Sequence, residues 1–158
     1  MSASAFRRLR AALVAHLCAA DSLAGVPVHE NRARPIGQDE ACAINVRTPD
    51  SSGTQAVIEA TDWRTTVAID CLAGTDVGGV LLPPEAADHR ADQLLAAVWA
   101  ALHGFAATPA AKACGVLDID DEPVIAWDSA AEDLPYACAG LRITVVHRTP
   151  ATSLQPWT

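Results

Sequence analysis

Asp118, Asp120, Asp121 and Glu122 fall within the five-residue run DIDDE, and carboxylates at that density are the ligands that calcium and magnesium take. The run lacks the glycine and the distant glutamate of a calcium loop, so its expected place is a solvated turn between two strands. GTDVGG, Gly74 to Gly79, has the glycine content of a phosphate cradle, yet no Lys-Ser or Lys-Thr follows and a proline-rich stretch separates it from the next helix. Nucleophilic chemistry needs a cysteine or serine facing a histidine. His16 and Cys18 stand two apart on a helix and diverge, while His147 shares a strand face with Val145 and reads as a strand-end histidine at the core edge. No nucleophile elbow, zinc-protease helix or dinucleotide fingerprint occurs. The expectation is a chain that is not an enzyme, with no catalytic residue, no metal ligand and no cofactor; a metal-dependent enzyme built on the DIDDE carboxylates is the less favoured alternative.

A chain of 158 residues fits one domain, which buries about 70 % of its unfolded surface and supports a core without staples. Aromatics are only 4 % against 51 % hydrophobic residues, so that core must be built from Ala, Leu, Val and Ile and is thin. The net charge of −8, from 11 Lys and Arg against 19 Asp and Glu, argues against groove binding to nucleic acid, which needs cations to displace counterions. Cys18, Cys42, Cys71, Cys114 and Cys138 are odd in number, far apart and set in apolar runs, a pattern of buried thiols in a reducing cytoplasm rather than of disulfides or zinc ligation. The start MSASAFRRLRAALVAHLCAA has the basic-then-apolar order of a signal peptide, but His16 interrupts it and its period is that of a helix. No run of 18 apolar residues predicts a membrane span.

From Ser4 to about Ala20, Phe6, Leu9, Leu13 and Leu17 recur at spacings of three and four and predict an amphipathic helix. Gly25 and Pro27 end it, and Val26 to Arg32 reads as a short edge strand. ACAINVR alternates Cys42, Ile44 and Val46 against Ala43, Asn45 and Arg47, a strand, and TPDSSGT, Thr48 to Thr54, reads as a turn too long for a tight hairpin. EATDWRTTVAIDCLA then places Trp63, Thr65, Val67, Ile69 and Cys71 on one face and Arg64, Thr66, Ala68 and Asp70 on the other. Apolar positions switch from even (Ala56, Ile58, Ala60) to odd between these stretches, which predicts a bulge near Thr61 and Asp62 and a hairpin tip that projects from the core. A glycine- and proline-rich loop leads to a second helix from about Glu85 to His103, with Glu85 and Asp88 in its first turn. HGFAATPAAKACG reads as a loop, and GVLDID, EPVIAWD and YACAGLRITVVHR as closing strands. The two prolines and lack of pattern in residues 150–158 predict a flexible end, with Trp157 able to dock.

The order of elements predicts an α+β fold: one domain over residues 1–149, a mixed or antiparallel sheet with two main helices on one face, and a long β-hairpin. That order is familiar. The first helix, VPVHENRARPI leading into ACAINVR, a polar hairpin tip, WRTTVAIDCLA, the helix ADQLLAAVWAAL and the closing CAGLRITVVHRT together resemble the tail-terminator proteins of long-tailed bacteriophages, the minor tail protein U family, over residues of about 5 to 149.

The resemblance implies a structural virion protein: a hexameric ring that caps the tail tube, ends its polymerisation and offers its other surface to the head–tail connector. Its expected partners are copies of itself, the tube protein and the connector. Its place is the virion tail, assembled in the host cytoplasm, with DNA passing through the ring without sequence-specific binding, and with no membrane. By position, the resemblance makes Pro49, Asp50, Ser51, Ser52, Gly53 and Thr54 a loop that orders on assembly. Combined with the polar strand face, this yields the expectation that these six residues together with Arg64, Thr66 and Asp70 make subunit or tube contacts. Another head–tail joining or tail-completion protein is the nearest alternative.

Overall fold

The computed structural model describes residues 3–33, 36, 40–120, 122–130 and 135–156. The fold is α+β. Helix α1 (Ala5–Cys18) follows Ser4, whose Oγ accepts from the Arg7 backbone N–H, and buries Leu9, Leu13 and Leu17 as the spacing predicts, with Ala5 buried and Phe6 only half-buried. Strand β1 (Val28–Glu30) lies parallel to the start of β2 (Cys42–Val57), which returns antiparallel as β3 (Ala60–Gly74). A small hairpin, β4 (Asp76–Val77) and β5 (Val80–Leu81), precedes α2 (Pro84–Leu102). A 3-10 turn (Phe105–Ala107) and the short helix α3 (Pro109–Lys112) lead to β6 (Val116–Ile119), β7 (Val124–Asp128) and the long β8 (Tyr136–Pro150). The main sheet has the order β1-β2-β3-β8-β6, with β7 pairing on β8 beside β6.

α1 and α2 lie on one face of this sheet. Leu9, Leu13 and Leu17 from α1 and Leu94, Leu95, Val98 and Leu102 from α2 form one core with Ile44, Val46, Val67, Ile69, Leu141, Ile143 and Val145. Period-two alternation in β3 and β8 supplies the sheet side of that core. The two strands pair without a break, from Ala60 opposite Pro150 to Gly74 opposite Tyr136.

Several local expectations are corrected. Thr48–Thr54 is not a turn: β2 continues through it, and the hairpin reverses at Ile58 and Glu59, between Val57 and its partner Ala60. The register shifts between Arg47 and Asp50 and between Gln55 and Val57; the second lies opposite Ala60 and Thr61, where the slip is expected, but the extra residue is on β2 and not on β3. β8 flanks β3 as far as Ala60, so the hairpin end is three strands wide and does not project as a bare ribbon. GTDVGG contributes the turn of the β4–β5 hairpin, where Gly78 and Gly79 both have positive φ (62° and 82°), so its glycines serve the backbone twist of a tight turn. HGFAATPAAKACG contains the 3-10 turn and α3, capped by the Thr108 side chain on the Ala111 N–H. In α2 only Glu85 is acidic in the first turn; Asp88 instead accepts from the Ala130 N–H at 3.1 Å. Of the end read as loose, residues 151–156 pack back: Ala151 N–H donates to Glu59 O, Leu154 O receives the Ala5 N–H, and Pro156 is buried. Trp157 and Asp121 lie outside the described residues.

Candidate interaction surface

The sheet face away from the helices carries charges that pair across strands. Arg47 donates to Asp70 between β2 and β3 (Nε to Oδ2, 2.9 Å), and Thr66 donates to Asp50 at 2.7 Å. Arg148 clamps Asp62 with two hydrogen bonds of 2.6 and 2.9 Å between β8 and β3, and Arg64 reaches Asp120. The Arg148 hydrogen bonds hold the Asp62 carboxyl below its ordinary range. Arg64, Thr66 and Asp70, expected as an unpaired polar face, therefore each have an intrachain partner. At this exposure such pairs add little to stability; they fix side-chain positions and leave a face patterned by charge.

At one end of this face Arg32, Asn45, Arg47, Asp70, Tyr136 and Cys138 line a hollow of about 310 Å³. Asn45 is buried and ties the chain down reciprocally, its amide receiving the Arg32 N–H and donating to the Arg32 carbonyl. Burial, reinforced by Asp70 and Asp128, pushes the Cys138 thiol up to about 11, so it is no thiolate nucleophile at neutral pH.

Pro49 to Val57 form a strand segment exposed at every position. Apolar side chains at its end, Val57 (56 % exposed) and Ile58 (88 %), lie in solvent. Gly53 has a steric purpose there: a Cβ would stand 2.9 Å from the Trp63 ring, which is itself held by its Nε1 hydrogen bond to Thr149 and an edge-on contact with Phe6. Gly53→Ala is expected to cost about 1–3 kcal/mol by overpacking, readable as a lowered urea midpoint, whereas Ser52→Ala beside it should be nearly silent.

At the opposite edge of the sheet β7 is exposed along its whole length, with Val124 at 60 %, Ile125 at 41 % and Trp127 at 59 %. Beside it Trp99, Leu102, His103, Ile119, Pro123 and Ile143 line a hollow of about 290 Å³. This surface has no counterpart among the sequence-predicted contacts. EPVIAWD is legible as a strand, but nothing in its own residues says that it ends the sheet.

The arrangement offers little chemistry. His147 lies fully buried, not at the core edge; its Nε2 meets Thr65 Oγ1 at 2.8 Å, and Thr65 meets Ser51 at 2.9 Å. No carboxylate meets its Nδ1 among the described residues, and the buried Thr65 is out of reach of a substrate. Asp118 accepts from the Ile119 N–H and Asp120 pairs with Arg64. Among the described residues no three His, Cys, Asp or Glu side chains come together in a way that could hold a metal ion, and no helix is long and apolar enough to cross a membrane. Compared with known proteins, the chain matches no protein-family model and no curated protein.

Proposed function

We propose that the protein is a structural virion component of the tail-terminator kind, a non-enzymatic subunit of a ring that caps a phage-type tail tube, ends its growth and presents a surface for joining the head. The observation that carries this reading is the β2 arm: Pro49 to Val57 are exposed at every position, which leaves the arm unfinished in a single chain. The outer edge of the arm, which β1 leaves uncovered beyond Val46, and the charged sheet face, to which the arm contributes Asp50, are different surfaces of one molecule. A contact that sets one subunit's arm against the next subunit's face is heterologous, and such contacts close into rings when the rotation permits. Pro49 to Thr54 then act as an extended strand rather than a loop, and Arg64, Thr66 and Asp70 are held ready by their intrachain partners. The net charge of −8 keeps the channel from gripping DNA.

Charge exchange separates assembly from folding. In the double variant Arg47→Asp, Asp70→Arg the intrachain pair survives with reversed polarity, so the urea midpoint should stay close to that of the parent. Ring formation, followed by sedimentation velocity, should weaken by about tenfold or more, because like charges then meet across the subunit contact. Unchanged assembly would remove this face from the interface.

A further inference from the structure

β7 ends the sheet with Pro123 before it and Asp128 as its one charge. It contains no Lys, Arg or Pro, and among the described residues no strand pairs with its outer side. Its register places Ile125 and Trp127 opposite Leu141 and Ala139, on the helix-bearing face, and Val124, Ala126 and Asp128 on the other face. The whole stretch from Val116 to Asp128 has Asp118, Asp120, Asp121, Glu122 and Asp128 and no basic residue. Asp120 is matched by Arg64, while Asp118, Glu122 and Asp128 are exposed.

We infer that the outer edge of β7 is a docking edge for an extended segment of a different protein in which apolar and basic residues alternate. Added as a further strand, such a segment satisfies the free backbone groups of β7. Its apolar side chains fall beside Ile125 and Trp127, and its basic ones fall on the face that Asp128 occupies, with Glu122 at the other end. A second copy of this chain is a poor occupant: its own exposed arm carries Asp50 and Glu59, and it brings a charge of −8 to an acidic edge. This inference stands apart from the ring. Rings that ignore the probe would sink only the docking edge, and a monomer that takes the probe would sink only the ring.

The test uses the full chain and a blocked seven-residue peptide of alternating Lys and Val, titrated by calorimetry, with hydrogen exchange locating the site. Binding should protect the amides of residues 124–128, weaken about tenfold between 50 and 500 mM salt, and fall at least about tenfold for the Glu/Val counterpart and for a peptide of the same composition with its lysines clustered. Ala126→Pro should abolish it. Should that variant fail to fold, the exposed-site variants Val124→Lys and Glu122→Lys with Asp128→Lys should each weaken binding about tenfold. Equal affinity for the Lys/Val and Glu/Val peptides, protection elsewhere, or no binding at millimolar peptide would overturn the inference. So would loss of self-association in Trp127→Lys, since the edge would then belong to a second copy.

Discussion

Gly115→Ala is expected to lower stability by about 3 kcal/mol, more than alanine at any other described glycine. Gly115 has φ of +75°, and an added Cβ would stand 2.4 Å from the Arg148 carbonyl oxygen, a backbone atom of the central strand β8. The left-handed conformation costs about 1–2 kcal/mol for an alanine, and displacing β8 adds overpacking of about 1–3 kcal/mol. Gly115 O also receives the Arg148 N–H at 2.9 Å, so a shift that relieves the contact weakens this bond. Gly104 is the internal control: its φ is +83° but nothing lies within 4 Å of the added carbon, so Gly104→Ala should cost about 1 kcal/mol. In thermal melts the Gly115 variant should fall by about 10 °C and the Gly104 variant by about 3 °C. Equal losses would mean that the backbone conformation, not the contact with β8, governs both.

The second large effect is a dependence on acid. His147 is fully buried, its ring edge-on to Phe6, and burial lowers its pKa to about 4 from 6.5. The folded state therefore keeps the ring neutral while the unfolded chain takes up a proton as pH falls below 6.5. The contribution is complete above about pH 6.5, declines as pH falls, and has been lost by about pH 4, a difference of about 3 kcal/mol. His147→Gln retains a polar group toward Thr65 and cannot charge, so its urea midpoint should vary much less between pH 6.5 and 4. Parallel profiles for parent and variant would place the acid sensitivity elsewhere. Asp62 acts in a lower window: the Arg148 hydrogen bonds depress its pKa, so its contribution is present above 3.8 and lost as pH falls further.

The parts of the fold legible in the sequence are those where burial imposes a period. Leu9, Leu13 and Leu17 announce α1, and Val67, Ile69, Leu141 and Ile143 announce the two central strands, because each set has one face on the core. The arm was illegible for the converse reason. Pro49, Asp50, Ser51, Ser52 and Gly53 have the composition of a turn, and no buried face marks them as a strand. A strand exposed on both faces tolerates Pro at an edge and a glycine under an indole. The true reversal at Ile58 and Glu59 needs no glycine, since neither residue has a positive φ. His147 looked peripheral because α1 brings Phe6 over it from across the chain. The exposure of β7 follows from its place in the sheet, which depends on the pairing of all the other strands.

The most direct test of the ring is native mass spectrometry of the purified chain over a concentration series. The account predicts monomer in equilibrium with one discrete hexamer, shifting with concentration because every contact is heterologous and none is complete until the ring closes. A monomer at every concentration, or a two-fold dimer that goes no further, would contradict it.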